Sequence, residues 1–142
     1  MTAEYLEKAK AFLEKGYTCA IVGSGMELSS KRRGVAPLLE WVNEGRKLFG
    51  GVAADKVVGK AAAFLYVLLS VRAVYAQVIS LAAEKVFQEF GITCIYDKRV
   101  DRIMNRDKTG FCPMERAVWE TDDPTEAYAE IQKKYTQLQQ GE

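Results

Sequence analysis

The residue of this sequence whose position most strongly suggests chemistry is Lys60, which begins an otherwise apolar helical segment. Across residues 59–71 only Lys60 and Ser70 interrupt the apolar run, and this predicts a helix that is covered on all sides. A cation in the first turn opposes the helix macrodipole, at a cost of about 0.3–1 kcal/mol when exposed. We expect Lys60 to bind an anionic ligand, or to act as a catalytic base or nucleophile. The alternative is a salt bridge to Asp55.

Asp55 and Lys56 interrupt the strand that is predicted just before this helix, at residues 51–58. Adjacent residues of a strand point to opposite faces of the sheet, so only one of the two can share a face with Lys60. A strand that runs into a buried helix places the helix N-terminus at the edge of the sheet, which is a common location for ligands. We predict that Asp55 orients Lys60 or binds ligand hydroxyl groups. The alternative is a strand end that emerges into solvent.

Cys112 is the second candidate catalytic residue beside Lys60. It precedes Pro113 and Glu115 at the predicted start of a short helix that continues to Trp119. Backbone N–H groups at a helix start stabilise a thiolate, which would make Cys112 a reactive or ligand-contacting thiol. In the alternative, Glu115 bonds back to the backbone as in a capping box, and Cys112 is merely a small residue at the N-cap.

Further polar residues could form the rim of the same ligand site. Arg106, in the polar loop at residues 105–110, could bind a carboxylate or phosphate through two parallel hydrogen bonds; the alternative is a solvated turn. Ser80 can cap the helix predicted at residues 81–90. The candidate ligand-binding residues are therefore Asp55, Lys60, Ser80, Asn105, Arg106 and Glu115.

The composition is that of an ordinary globular protein. The 142 residues suit one domain, residues 1–142, with 49% apolar and 27% charged residues. Because 20 Lys and Arg oppose 19 Asp and Glu, for a net charge of +1, bulk electrostatics gives no reason to expect a nucleic-acid partner. The first residues form a charged amphipathic segment, and the apolar run at residues 61–69 is too short to span a bilayer. We therefore expect a cytoplasmic protein without a membrane partner.

The cysteines and the missing histidines limit metal and redox chemistry. Cys19, Cys94 and Cys112 are odd in number and widely spaced, which argues against a disulfide framework. Since the sequence contains no histidine, a histidine-based triad and a histidine-ligated metal are excluded. Structural zinc usually binds closely spaced ligand pairs, so we predict no metal and no cofactor.

Hydrophobic periodicity predicts alternating helices and strands. A first helix is followed by a hairpin (residues 17–22 and 26–30), a helix at residues 36–46, and strands at residues 51–58, 72–80 and 92–96, with helices at residues 59–71 and 81–90. The strand at residues 92–96 is expected to be interior, and residues 100–104 to be a short helical piece. This order predicts an α/β protein with a mixed sheet between two helical layers.

The chain is predicted to end in an amphipathic helix at about residues 124–139. Asp123, Pro124 and Glu126 stand at the N-cap, N1 and N3 positions that favour a helix start. Tyr128, Ile131, Tyr135 and Leu138 then form one apolar stripe. The stripe is expected to pack on the domain's own core, and the alternative is the seam of a homodimer.

Three motifs are found together: DKVVGKAAA at residues 55–63, VYAQVIS at residues 74–80 and NRDKTGFCPME at residues 105–115. They resemble a small prokaryotic family known as domain of unknown function 1893, which is placed in the cytidine-deaminase-like superfamily. The resemblance covers roughly residues 17–118. It implies a three-layer α/β/α fold with a five-stranded mixed sheet.

The deaminases of that superfamily hold zinc with a His or Cys of a His-Ala-Glu-type motif and with a Pro-Cys-x-x-Cys pair. In this sequence the corresponding helix starts read Gly-Lys-Ala-Ala at residues 59–62 and Ile-Ser-Leu-Ala-Ala at residues 79–83. Neither has a metal ligand or the proton-transferring glutamate, so a zinc-bound hydroxide has nothing on which to form. This argues against deaminase activity, since fold similarity alone does not carry function.

Three hypotheses of function remain open. The first is a protein that binds a small polar or anionic metabolite near Lys60, either as a binding protein or as a metal-independent enzyme with lysine- or thiol-centred chemistry. The second is a non-catalytic regulatory or assembly module that has lost the deaminase site. The third is a zinc-dependent deaminase with relocated ligands from the three cysteines.

Overall fold

The computed structural model describes residues 2–105 and 110–140. Helices and strands alternate along these ranges much as the periodicity predicts. The elements in chain order are α1 (Thr2–Glu14), β1 (Cys19–Gly23), β2 (Met26–Ser30), α2 (Ala36–Asn43), β3 (Val52–Val58), α3 (Lys60–Leu69), β4 (Ala73–Ser80), α4 (Leu81–Glu89), β5 (Thr93–Val100), α5 (Pro113–Ala117) and α6 (Pro124–Gln140).

The five strands form one mixed sheet in the order β2-β1-β3-β4-β5. The hairpin strands β1 and β2 are antiparallel, and β1 is also antiparallel to β3. The last three strands are parallel, as the strand–helix alternation requires. The register aligns Cys19 with Asp55, Asp55 with Ala76 and Ala76 with Tyr96, so these four residues form a row across the sheet.

Helices cover the two faces of the sheet unequally. On one face, α1 packs alone through Ala9 and Leu13 against Val22, Ala54 and Tyr75. On the other face, the main core joins the alternate strand residues to side chains of α2, α3, α4 and α6. The predicted three-layer α/β architecture with a five-stranded mixed sheet is confirmed.

The central helix α3 is buried because its sequence offers almost no polar face. Its first seven residues and Leu69 are all buried. It begins after Gly59 and ends at Ser70, which adopts the left-handed conformation with φ 65°. A Cβ at Gly59 would lie 3.1 Å from Ile103 Cγ1 and 3.2 Å from Glu115 Oε2, so these two side chains would have to shift by a few tenths of an ångström.

The fifth strand differs from its prediction in length and position. It runs from Thr93 to Val100 and forms one edge of the sheet, so the prediction of an interior strand at residues 92–96 is wrong. The order of strands in a sheet depends on pairing between distant segments, and the hydrophobicity of one segment does not determine its neighbours. The short helix predicted at residues 100–104 is also wrong, because Val100 ends the strand and Met104 pairs with Phe111 in an isolated bridge.

The terminal helix packs on the core as predicted. Asp123 accepts a hydrogen bond from the N–H of Glu126 at 2.9 Å and caps the helix. Ile131 is fully buried, Tyr128 and Tyr135 pack against the core, and Leu138 remains exposed. A homodimer seam therefore stays a prediction. Among the described residues, no helix is long and apolar enough to cross a membrane.

Candidate functional site

Lys60 lies at the first position of α3, where β3 has just ended at the edge of the sheet. Its side chain is only 8% exposed, and its Nζ donates a hydrogen bond to the carbonyl oxygen of Trp119 at 2.7 Å. Within the described part of the chain, no carboxylate forms a salt bridge with this amine. The alternative prediction of a Lys60–Asp55 salt bridge is therefore wrong.

A buried carboxylate, that of Glu115, joins the two helix starts at this edge. Its Oε2 accepts hydrogen bonds from the N–H of Lys60 at 2.8 Å and from the hydroxyl of Ser80. Its Oε1 accepts from the N–H of Ile103 at 2.7 Å. Glu115 is 1% exposed. A negative charge here lies at the N-termini of both α3 and α4, where the helix dipoles favour it.

Ser80 links the same carboxylate to α4. Its Oγ accepts a hydrogen bond from the N–H of Ala83 at 3.1 Å, so Ser80 is the predicted N-cap of this helix, and it is fully buried. The predicted capping box at the start of α5 is wrong, because Glu115 binds distant parts of the chain instead of its own helix start. Ser80 and Glu115 lie beneath the surface, and their role in ligand binding stays a prediction.

A cleft of about 340 Å³ opens beside Lys60, and we call it the Lys60 cleft. Its volume is within the range of about 300–1,000 Å³ that small-molecule pockets occupy. Two lysines and three carboxylates face apolar and aromatic side chains across it. The lining residues are Lys60, Phe64, Leu81, Ala82, Lys85, Val86, Glu89, Asp101, Trp119 and Asp122.

The structure places Asp55 in a different network from Lys60. Asp55 Oδ2 accepts a hydrogen bond from the hydroxyl of Tyr66 at 2.7 Å, beneath α3. Cys19 lies next to Asp55 in the register of β1 and β3. Asp55 is half-buried between the sheet and the helix and is not among the residues that line the Lys60 cleft. The sequence alternative of a strand end in solvent is wrong for this residue.

Burial controls the titration of this second network. It raises the pKa of Asp55 from 3.8 to about 7, although hydrogen bonds from Tyr66 and from backbone N–H groups oppose the change. Burial and the negative charge of Asp55 raise the pKa of Tyr66. The same two causes, in the same order, raise the pKa of Cys19. Asp55 is thus a group that changes charge near neutral pH inside the fold.

The remaining predicted site residues lie on the chain segment after β5. Cys112 is the residue before α5, is half-buried and donates its N–H to Ile103 at 2.9 Å, so its position at the N-cap is confirmed. It is not among the residues that line the Lys60 cleft. The N–H of Asn105 donates to the carbonyl of Gly110 at 2.9 Å. Arg106 lies outside the described residues, so its predicted role stays a prediction.

In the described part of the chain, the candidate donor atoms do not converge for a metal ion. Cys19 lies on β1, Cys94 on β5 and Cys112 before α5. In residues 2–105 and 110–140, no group of three or more His, Cys, Asp or Glu side chains could hold a metal together. Relocated zinc ligands therefore have no donor set in that part of the molecule.

Sequence reasoning missed Trp119 and the acidic residues of the cleft. The contact that holds the Lys60 amine is a backbone carbonyl. Every residue has such a group, so no residue type in the sequence indicates this contact.

The hydrogen bond between Asp55 and Tyr66 could have been predicted from the sequence. A tyrosine in a helix without a polar face must bury its hydroxyl group and needs a partner, and an aspartate that interrupts a buried strand is the partner at hand.

Comparisons with known proteins identify the family. The model of the family described as Domain of unknown function (DUF1893) matches residues 7–135. The chain is also similar to the crystal structure of a DUF1893 family protein from Thermotoga maritima, with a TM-score of 0.81 and 32% identity over 88% of this chain and 85% of that one. Among curated proteins, none matches the chain. The chain belongs to the DUF1893 family.

Proposed function

We propose that this protein binds a small polar or anionic metabolite in the Lys60 cleft, on a cytidine-deaminase-like scaffold that works without zinc. The observation that carries the proposal is the amine of Lys60. It is almost buried, faces the cleft and, among the described residues, has a carbonyl oxygen but no carboxylate as its partner. A buried cation without a counter-ion is unfavourable, and an anionic group of a ligand would supply one.

The rest of the cleft defines the chemistry of the ligand more narrowly. Phe64, Leu81 and Val86 form an apolar wall of the cleft. Such a surface favours a ligand with a ring or an aliphatic portion. Charged groups of both signs at the rim would hold its polar substituents and fix its orientation. The ligand is therefore a compact amphipathic molecule with an anionic group at Lys60 Nζ.

If the bound molecule is a substrate, Lys60 is the group placed to contact its reacting atoms. A lysine amine can act as a nucleophile or a base. The thiol of Cys112 lies outside the lining of the cleft, so the lysine-centred form of the chemistry is favoured over the thiol-centred one.

A second candidate function is a regulatory or assembly module without catalysis, and the position of Glu115 favours it. In parallel α/β sheets, ligands commonly bind at the helix starts outside the carboxyl ends of the strands. Here the chain's own carboxylate occupies those helix starts. A module that has lost its original site would keep the fold by such an internal replacement.

Native mass spectrometry of the protein, purified without added ligand, tests the first proposal. We expect the wild-type protein to carry a small molecule that Lys60→Met loses. Lys56→Met is the matched control, because Lys56 is a half-buried lysine of the neighbouring strand that does not line the cleft. It should retain the ligand.

A second variant keeps the test independent of folding. Leu81 is 37% exposed at the cleft, so Leu81→Trp should fill the space and displace the ligand without disturbing the core. If Lys60→Met and Leu81→Trp both fold and still retain the metabolite, the proposal is wrong. If the wild-type protein carries no metabolite and binds none from a metabolite panel, the module without catalysis is the better account.

A further inference from the structure

A second concave surface lies between α5 and α6. It has a volume of about 430 Å³, also within the range of small-molecule pockets. We call it the basic groove. Its lining residues are Phe111, Pro113, Arg116, Ala117, Glu130, Lys133, Lys134 and Gln137.

Cations outnumber carboxylates in the lining of the basic groove. Arg116 comes from α5, whereas Lys133 and Lys134 come from α6, so two separate elements direct three cations to one concave surface. Glu130 is the one carboxylate in the lining. Among the described residues, none of the three cations takes part in a salt bridge. A site of this kind attracts an anion that carries two or more negative charges.

The uncharged part of the lining indicates what else the ligand contains. Phe111, Pro113 and Ala117 offer an apolar surface next to the cations. Phe111 is held in place by an edge-to-face contact with Trp119, with ring centroids 4.8 Å apart, and by the guanidinium of Arg102, which lies 4.9 Å from its centroid. A fixed aromatic side chain beside three cations suits a ring that carries phosphate groups.

We propose that the basic groove is a binding site for an organic phosphate, with the phosphate groups on Arg116, Lys133 and Lys134 and an apolar or ring portion against Phe111. The site is separate from the Lys60 cleft, since the two share no lining residue. The proposal of a phosphate site in the basic groove therefore does not depend on the function proposed for the Lys60 cleft.

Calorimetric titration with adenosine diphosphate and with inorganic pyrophosphate tests this proposal. The two probes share the diphosphate group, and only the nucleotide adds a ring. We expect the nucleotide to bind at least tenfold more tightly than pyrophosphate. Lys133→Ala with Lys134→Ala should weaken nucleotide binding at least tenfold, as should Arg116→Ala, and the effect should shrink with added salt.

The matched control is Lys8→Ala with Lys15→Ala, which removes the same charge from α1 and from the residue that follows it, on the opposite face of the sheet. This control should leave the affinity within twofold of the wild type. If Lys8→Ala with Lys15→Ala weakens nucleotide binding as much as Lys133→Ala with Lys134→Ala does, net charge alone attracts the probe and the site is refuted. Pyrophosphate that binds as tightly as the nucleotide would refute the ring-binding part, and no detectable binding of either probe would refute the whole proposal.

Discussion

The ionisation of Asp55 should make the stability of this protein fall as the pH rises through neutrality. The carboxyl group lies between the sheet and α3, and its pKa is about 7 in the fold against 3.8 ordinarily. Because the folded-state pKa is the higher one, the neutral form is favoured in the fold. The stabilisation is fully present below pH 3.8 and is lost as the pH rises through 7.

The size of the effect follows from this difference. Between pH 5 and pH 7 the unfolded chain has already lost the Asp55 proton while the folded protein keeps it. The free energy of unfolding should then fall by about 1.4 kcal/mol per pH unit at first and less steeply near pH 7, or roughly 2.3 kcal/mol in all. For a chain of this length, such a loss lowers Tm by about 8 °C.

Asp55→Asn removes the titration and keeps the shape. The amide oxygen can still accept the hydrogen bond of Tyr66, as the carboxylate oxygen does at 2.7 Å. We expect the variant to match the wild type near pH 3, to be more stable by roughly 2 kcal/mol at pH 5, and to be more stable by roughly 4 kcal/mol at pH 8. Urea unfolding at several pH values measures this difference.

Asp97→Asn is the matched control for this measurement. Asp97 also accepts a tyrosine hydroxyl, that of Tyr75 at 2.5 Å, but it is exposed on the edge strand. Because this variant keeps Asp55, its stability should fall between pH 5 and pH 8 as that of the wild type does. Parallel pH profiles of the wild type and Asp55→Asn would refute the reasoning, and so would a variant that is less stable than the wild type at pH 8.

Three further predictions concern the hydrogen bonds of Glu115, the backbone conformation of Ser70 and the reactivity of Cys94. Glu115→Ala should lower the free energy of unfolding by roughly 3–5 kcal/mol, because it leaves buried donors unpaired. Glu115→Gln should lower it less, since the one carbonyl oxygen of the glutamine can accept from one of the two N–H groups. An equal loss in both variants would contradict this assignment. Ser70→Gly should raise the free energy of unfolding by about 0.5–1 kcal/mol, because Ser70 has φ 65°, and a lower Tm would contradict the strain. Burial and the charge of Glu84 raise the pKa of Cys94 to about 11. At pH 8, iodoacetamide should therefore label Cys94 on the order of 100-fold more slowly than a free thiol, as measured by peptide mass spectrometry. Equal labelling rates would show that Cys94 is more accessible than it is in the structure.

Sequence periodicity predicts the helices and strands that are defined by residues close together in the sequence. The apolar run of α3 could be read directly, because a helix without a polar face has to be buried. Ser80 could be predicted as the cap of α4, because an N-cap is defined by its own residue type and the helix that follows. The alternation of strands and helices fixed the layers for the same reason.

The contacts that build the site could not be predicted, because they join distant positions through the backbone. The amine of Lys60 binds a carbonyl 59 positions away, and the carboxylate of Glu115 binds the N–H of Lys60 at a distance of 55 positions. Backbone groups are the same at every residue, so residue types carry no information about such partners. The edge position of β5 was indicated only weakly, by the charged residues at positions 97–99, which are typical of exposed strand edges.

The hydrogen bonds to Glu115 also determine how this molecule can move. They tie α5 to the starts of α3 and α4 and to Ile103, which lies beyond β5. Lifting α5 would leave three donors unpaired at about 1–3 kcal/mol each, so such an open state would be populated in roughly one molecule in 10² to 10⁶. These hydrogen bonds therefore hold α5 in place, and it does not act as a lid. Under the proposal of a ligand in the Lys60 cleft, exchange of that ligand does not wait for α5 to open.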